Sequence, residues 1–134
     1  MSNPSQKRQA LERAIEAWNA RDLDRYLELY GQRIALYGYT KIPMNKTEVR
    51  AYYEAIFAGF SDIVLVMDEW IESETQIGVR FTMHATHTGE IQGFPATGRR
   101  ITQRGMSIMT FDGDRVVERF TVSDLDGVRT QLTD

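Results

Sequence analysis

Two residues suited to acid/base chemistry each end an apolar strand face, and the first of them is a histidine. His87 follows a set of alternate apolar side chains: Val79, Phe81, Met83 and Ala85. Because successive strand residues point to opposite faces, these side chains share one face. A histidine in this position is partly desolvated, which favours its neutral ring. It is therefore either a hydrogen-bonding group of a site or a core-edge histidine satisfied by a backbone group.

The second residue is Asp124, which ends another alternating set. That set consists of Val116, Glu118, Phe120 and Val122, of which three are apolar. An aspartate withdrawn from water at the mouth of such a face would be a stronger base than a solvated carboxylate. The alternative is a solvated aspartate at a strand end, which is the interpretation favoured for its neighbour Asp126. We predict Asp124 and His87 as the catalytic pair.

Six further residues are predicted to form the wall of a substrate pocket: Trp18, Tyr53, Phe57, Met83, Met106 and Phe120. A lining rich in methionine and aromatic rings suits a flat, apolar ligand that carries carbonyl groups. Residues of these types at helical or strand spacing are more often ordinary core, and that alternative stays open for each of them.

Other chemistries are disfavoured by spacing. His84 and His87 are three residues apart on a predicted strand, which puts them on opposite faces and argues against a shared metal. No glycine-rich phosphate loop follows a strand and opens a helix, and no serine stands in a nucleophile elbow. The sequence therefore predicts neither a metal nor a nucleotide site.

Three amphipathic helices are predicted in the first half of the chain, at residues 3–18, 22–31 and 45–59. Asn3 caps the first helix with Pro4 at its first position, and Gly31 ends the second. Asn45 with Glu48 resembles a capping box at the start of the third. Each helix has an apolar stripe that must lie on another element.

Strands follow the helices in the second half of the chain. One short strand around Ile34 and Leu36 precedes the third helix, and four longer segments are predicted at 62–72, 75–87, 100–111 and 114–124. Asp112-Gly113 is a strong hairpin signal, and a short helix closes the chain near residues 128–132. Helices followed by hairpin-connected strands predict an α+β fold. We expect a curved, largely antiparallel sheet that forms a cone with the three helices, its open end a natural pocket.

Composition fits one globular domain over residues 1–134. Hydrophobic residues make up 42% and charged residues 26%, and the net charge of −3 argues against nucleic acid as a partner. The chain has no cysteine, which excludes disulfides. Its first residues lack the apolar stretch of a signal peptide, and no apolar run could span a bilayer. These features predict a cytoplasmic protein that does not bind membranes.

Three segments resemble one known family. Residues 87–99, HTGEIQGFPATGR, are similar to the H-x-G-x-x-x-G-x-P-P-T-G-[KR] motif of the SnoaL-like polyketide cyclases. Residues 111–118 resemble the hairpin that leads into the family's last strand, and residues 124–132 resemble its D-x-x-G-[LV]-x-x-Q-L ending. The order and spacing of these segments, with the helical beginning, cover nearly the whole chain.

The chain departs from the family pattern at several positions. Ala96 replaces the second proline of P-P-T-G, Ser61 replaces the proline of an F-P-D element, and Phe120 replaces a common tryptophan. The histidine often found in the first strand is absent, and Tyr37 and Tyr39 stand there instead. The tyrosines alter the polarity of the expected pocket and hence its substrate.

The resemblance implies a nuclear-transport-factor-2-like fold, a cystatin-like α+β barrel, and a cofactor-independent enzyme. Asp124 would be the acid/base catalyst of an intramolecular aldol-type cyclisation or an isomerisation of a carbonyl compound. His87 would hydrogen-bond the enolate or carbonyl oxygen. No metal or cofactor is implied, because the carbonyls of the substrate delocalise the carbanion. The alternative is a non-catalytic member that binds a small apolar ligand or serves as a dimer scaffold.

A homodimer is also expected, because both faces of the strand at 62–72 are apolar. Two alternative sets could form its outer face: Val64, Val66 and Trp70, or Ile63, Leu65 and Met67. Only one face can lie on the helices, so another copy of the chain would cover the other.

Overall fold

The computed structural model describes residues 5–133. Its elements in chain order are α1 (Gln6–Asn19), α2 (Leu23–Leu27), β1 (Tyr30–Tyr37), α3 (Lys46–Gly59), β2 (Val64–Glu72), β3 (Gln76–Thr86), β4 (Arg100–Asp112), β5 (Arg115–Ser123) and α4 (Leu125–Thr133). The predicted cap at Asn3 and Pro4 lies outside the described residues. The Ser5 side chain caps α1 by accepting the backbone N–H of Arg8 at 3.0 Å.

The helices largely follow their sequence signals. At the start of α3, the Asn45 side chain accepts the Glu48 N–H and the Glu48 side chain accepts the Asn45 N–H, so the predicted capping box is confirmed. The second helix is shorter than the sequence predicts. It ends at Leu27, and Tyr30 and Gly31, expected as its last residues, begin β1.

The five strands form one mixed sheet in the order β1-β5-β4-β3-β2. Within residues 5–133, the β1–β5 pair is the only parallel one, and the other three strand pairs are antiparallel. Helices α1, α3 and α4 contact strands of this sheet, and the core lies between them. The α+β fold with a helix-covered sheet is confirmed. None of the described helices is long and apolar enough to cross a membrane.

A bulge in β2 puts residues on opposite faces of the sheet that simple alternation along the strand places on the same face. Met67 pairs with Phe81 and Glu69 pairs with Arg80, so Asp68 is the extra residue. An extra residue reverses the alternation beyond it. Val64 and Val66 are therefore exposed on the outer sheet face, whereas Trp70 packs on the core, and its predicted grouping with the two valines is wrong.

A second bulge, in β5, has a larger consequence for the site. Phe111 pairs with Val116 while Thr110 pairs with Glu118, so Val117 is the extra residue. Val116 faces the core as predicted, but beyond the bulge the buried residues are Arg119 and Thr121. The predicted sharing of one inner face by Val116 and Asp124 is therefore wrong.

Candidate cavity site

An apolar cavity lies between the helices and the inner sheet face. Its volume is about 120 Å³, close to the roughly 150 Å³ of a cavity that holds one benzene ring. The lining comes from the helices α1 to α4, the segment after β1, the inner sheet face and the connection between β3 and β4. Most lining residues are apolar, which suits a small hydrophobic ligand.

The polar part of the cavity wall is built around Arg119, whose guanidinium is buried. Its Nη1 donates hydrogen bonds to the phenol oxygens of Tyr26 at 3.0 Å and Tyr30 at 2.8 Å. Its Nη2 donates to Ser107 Oγ at 3.0 Å, and its Nε lies 3.1 Å from Thr121 Oγ1 and 3.3 Å from Ser107 Oγ. Among the described residues, hydroxyl groups alone accept hydrogen bonds from this cation.

These hydroxyls belong to a linear series that we call the hydroxyl chain. Its members in order are Tyr26, Tyr30, Tyr53, Tyr39, Thr121 and Ser107. Neighbouring oxygens are 3.1, 2.7, 3.3, 3.2 and 2.9 Å apart in that order. Thr121 Oγ1 donates to the Tyr39 oxygen, and Tyr26, Tyr39, Tyr53 and Thr121 line the cavity.

The phenols of this chain do not neutralise Arg119. Burial raises the pKa of Tyr30 and that of Tyr53 well above the ordinary value of a phenol, although the Arg119 cation opposes both shifts. These groups are therefore neutral at physiological pH, whereas a guanidinium stays protonated. Within residues 5–133, Arg119 makes no ion pair and no Asp, Glu or His lines the cavity. The site holds a buried positive charge without a protein anion.

Three of the six predicted wall residues line the cavity: Trp18, Tyr53 and Met83. The other three do not. Phe57 packs against Trp18 with the Arg21 cation over its ring. Met106 is 62% exposed and Phe120 is 49% exposed, and both lie on the outer sheet face. In β4, and in β5 beyond its bulge, the neighbours of these two residues along the strand point inward instead.

Asp124 lies outside the cavity lining, although its neighbours Ser123 and Leu125 belong to it. The Asp124 side chain is exposed, and its Oδ1 accepts the backbone N–H of Gly127 at 2.8 Å. It therefore caps the beginning of α4. The desolvated position predicted for this carboxylate is not found.

His87 is fully buried but also lies outside the lining. Its Nδ1 accepts the backbone N–H of Thr97 at 3.3 Å and is 3.0 Å from Thr97 Oγ1. Its ring packs beside Phe60, which does line the cavity. This matches the core-edge alternative in part, because Nδ1 accepts a backbone N–H while the buried Nε2 has no hydrogen-bond partner among the described residues. Through Nδ1, His87 ties the β3–β4 connection to the end of β3. The structure does not bring His87 and Asp124 to one cavity.

Sequence reasoning missed Arg119 and Thr121 as site residues, and the bulge at Val117 explains why. Alternation without a bulge assigns both to the polar, outer face. A signal for the site is nevertheless present in the tyrosines. Tyr26 and Tyr30 are four residues apart, and phenols that are buried require hydrogen-bond partners inside the protein.

Helix α4 forms one wall of the cavity and is tied to β4 by Gln131. The Gln131 side chain accepts the Thr102 N–H and donates to the Thr102 carbonyl, both at 2.8 Å. The side-chain amide of Gln131 therefore hydrogen-bonds to the backbone of β4 as a neighbouring strand would, at a point where β5 has already ended. Asp124 and Gln131, which both lie in the D-x-x-G-[LV]-x-x-Q-L segment, serve here to start and to hold this helix.

Solved structures with the same fold include three relatives of low sequence identity. AclR from Streptomyces galilaeus, a candidate hydroxylase, is 23% identical with a TM-score of 0.88, and the match covers 95% of each chain. A candidate SnoaL-like polyketide cyclase from Jannaschia sp. CCS1 is 17% identical with a TM-score of 0.86 and coverage of 99% and 98%. An NTF2-like protein of unknown function from Burkholderia pseudomallei is 23% identical with a TM-score of 0.79 and coverage of 98% and 100%.

These likenesses establish the NTF2-like fold, and the family is established by sequence. No curated protein matches the chain. The family model described as SnoaL-like polyketide cyclase matches residues 8–132, nearly the whole length. The chain belongs to the SnoaL-like polyketide cyclase family.

Proposed function

We propose that this protein binds a small, mainly apolar carbonyl compound in the cavity and catalyses enolate chemistry on it, an aldol-type cyclisation or an isomerisation. The observation that carries the proposal is Arg119, a buried cation beside an apolar cavity whose described lining contains no anion. A preorganised donor of this kind stabilises negative charge that develops on a carbonyl oxygen. The family membership supports the same class of reaction.

Enolate formation also requires a base, and Asp124 is our candidate. It stands between two lining residues, Ser123 and Leu125. To act as the base, its carboxylate must leave the Gly127 N–H and turn toward the cavity. The family ending that contains Asp124 supports this role, whereas its helix-capping contact is an independent use of the same side chain.

The alternative function is binding without catalysis. It is favoured by the lining itself, which contains no Asp, Glu or His among the described residues. Such a protein would hold a carbonyl oxygen at Arg119 without removing a proton from the neighbouring carbon. Binding and proton abstraction must therefore be measured separately.

The test is exchange of the α-protons of cyclohexanone and 1-indanone in D₂O, followed by NMR. Catalysis predicts that the wild-type protein accelerates exchange over buffer. Asp124→Asn should then slow exchange by about 10²–10⁴-fold, the usual contribution of a general base. Asparagine caps a helix as well as aspartate does, so unfolding by urea should be unchanged.

The control is Asp126→Asn, which removes a neighbouring exposed carboxylate and should leave exchange unchanged. Full exchange activity in Asp124→Asn would exclude Asp124 as the base. Binding of the ketones without any accelerated exchange by the wild-type protein would establish the non-catalytic alternative.

We also propose that a second copy of the chain covers the outer sheet face. The register of β2 to β5 places a set of exposed apolar side chains there, which we call the outer patch: Ile71, Met106, Ile108, Phe120 and Val122. Tyr37 of β1 extends it by stacking on Phe120 at 4.4 Å. An apolar surface of this kind is typical of an interface, and a symmetric dimer would bury it on both copies.

Light scattering after size-exclusion chromatography tests this proposal. We expect a dimer for the wild-type protein and a monomer for Val122→Asp, because a buried unpaired carboxylate opposes association. Ile42→Asp is the control, since Ile42 is 68% exposed but lies in the connection after β1. A monomeric wild-type protein would contradict the proposal.

A further inference from the structure

The hydroxyl chain contains more hydroxyl protons than it has hydrogen bonds between its own members. Its six hydroxyl groups carry six protons, whereas five oxygen–oxygen contacts connect them. Each contact uses one proton, because a hydroxyl donates a single hydrogen bond. Arg119 adds only donors. At least one hydroxyl proton therefore lacks an acceptor within the chain.

The position of this surplus proton follows from the directions of the bonds. Thr121 donates to Tyr39, so Ser107 must donate to Thr121. Four tyrosine protons then remain for three contacts. If Tyr30 held the surplus proton, its oxygen would accept three hydrogen bonds, from Arg119 and from both neighbouring tyrosines, but it has two lone pairs. The surplus proton therefore belongs to Tyr26, Tyr53 or Tyr39, which all line the cavity.

Tyr39 is the member best able to present this proton to a ligand. Tyr26 and Tyr53 are 4% and 3% exposed, whereas Tyr39 is only half-buried. Its contact with Tyr53 is the longest in the chain, at 3.3 Å, so it loses least by turning its O–H into the cavity. Thr121, which accepts from Arg119, donates to the same oxygen and polarises it.

Arg119 has a donor to spare as well. A guanidinium carries five N–H groups. Both Nη1 protons, the Nε proton and one Nη2 proton are used by the hydroxyl chain, and the second Nη2 proton has no partner among the described residues. The titratable groups that line the cavity are two arginines and four tyrosines: Arg119, Arg129, Tyr26, Tyr39, Tyr52 and Tyr53. None of them is an anion that could satisfy these donors.

From this proton count we propose that the cavity selects an oxygen anion, a phenolate or enolate, over the neutral form of the same ligand, with the Tyr39 O–H as its donor. The inference rests on the proposed function, because it concerns the same cavity and names the state of the ligand oxygen. No covalent step is involved. The ligand O–H loses its proton to the buffer, and the anion is held by Tyr39 and by the Arg119 charge.

The test uses 4-nitrophenol, whose phenolate absorbs visible light, and 4-nitroanisole, its methyl ether, which cannot ionise. A single ring matches the cavity volume of about 120 Å³. Affinities are measured by equilibrium dialysis above and below the pKa of free 4-nitrophenol, and the ionisation of the bound ligand is followed by absorbance. We expect the phenolate to bind about 100-fold more tightly than the neutral phenol, as charge-assisted hydrogen bonds to a desolvated cation predict.

Tyr39→Phe should weaken phenolate binding by about tenfold, the effect of one hydrogen bond to a charged group, and should leave 4-nitroanisole binding unchanged. Tyr37→Phe is the matched control, because Tyr37 lies on the outer patch and should retain wild-type affinity for both ligands. Equal affinity for phenol and phenolate would overturn the inference, whereas the proposed function is decided separately by the α-proton exchange assay. Wild-type phenolate affinity in Tyr39→Phe would remove Tyr39 as the donor. Failure of both ligands to bind the wild-type protein would instead count against the proposed function itself.

Discussion

Arg119→Met is expected to weaken binding of 4-nitrophenolate by roughly 10²–10³-fold, the effect typical of removing one preorganised donor to an oxyanion. The affinity for 4-nitroanisole should stay within about threefold, because the apolar lining remains and the methyl ether carries no charge. The ratio of the two affinities, measured by equilibrium dialysis, isolates the contribution of the cation. An unchanged ratio would show that the Arg119 charge does not act on the ligand.

The same substitution should change stability much less than it changes binding. A buried guanidinium loses its hydration, so replacing it with an apolar side chain of similar length is often neutral. The five contacts of the hydroxyl chain can persist without it. We expect the free energy of unfolding in urea to change by no more than about 2 kcal/mol. This separates a loss of binding from a loss of folding.

Two matched variants sharpen the result. Arg119→Lys keeps the charge, but an ammonium lacks the fork that reaches Tyr30 on one side and Thr121 on the other. We expect it to lose about tenfold in phenolate affinity, between the wild-type protein and Arg119→Met. Arg33→Met removes an exposed arginine of β1 and should behave as wild type.

Gly38→Ala is expected to lower the free energy of unfolding by about 3 kcal/mol or more. Gly38 follows β1 with a φ of +95°, and a Cβ atom there would overlap the carbonyl oxygen of Thr121. The left-handed backbone alone costs an alanine about 1–2 kcal/mol, and the overlap with a backbone atom adds the strain of moving β5. Because Tyr39 is the next residue and Thr121 donates to it, the cavity site should be damaged together with the fold.

Gly93→Ala is the control that separates the two causes. Gly93 has a φ of +85°, but a Cβ atom added there would meet nothing within 4 Å among the described residues. It should lose only about 1–2 kcal/mol from the left-handed backbone. Urea unfolding of both variants measures the two contributions. Equal losses of unfolding free energy in the two variants would show that the close approach of Gly38 to β5 does not contribute.

Much of the fold can be predicted from local patterns. The capping box at Asn45 and the apolar stripes of α1 and α3 are local features, and they appear where the sequence places them. The Asp112-Gly113 signal also marks a true hairpin, although the turn residues are Gly113 and Asp114, with Asp112 paired to Arg115. These features depend on residues a few positions apart, so the chain itself contains the information.

The site is less predictable, and the errors share one physical cause. Alternation along β5 counted from Val116 fails at Val117, where a bulge adds one residue. Every side chain beyond that point changes face. Arg119 therefore lies in the cavity wall rather than on the expected outer face, and Phe120 lies on the outer patch rather than in the expected pocket. Asp68 has the same effect on Trp70 in β2.

The two residues first singled out for their chemistry, His87 and Asp124, show where prediction ends. Local patterns are enough to place both at the ends of strands within a family motif, and hence to identify the family and its fold. The folded chain alone reveals that His87 ties down a connection and that Asp124 caps a helix. It also reveals that Arg119 donates to hydroxyls of α2, β1 and β4 as well as to one of its own strand. Strand pairing sets which side chains face inward, and a bulge depends on the partner strand, so no count along a single strand could reveal it.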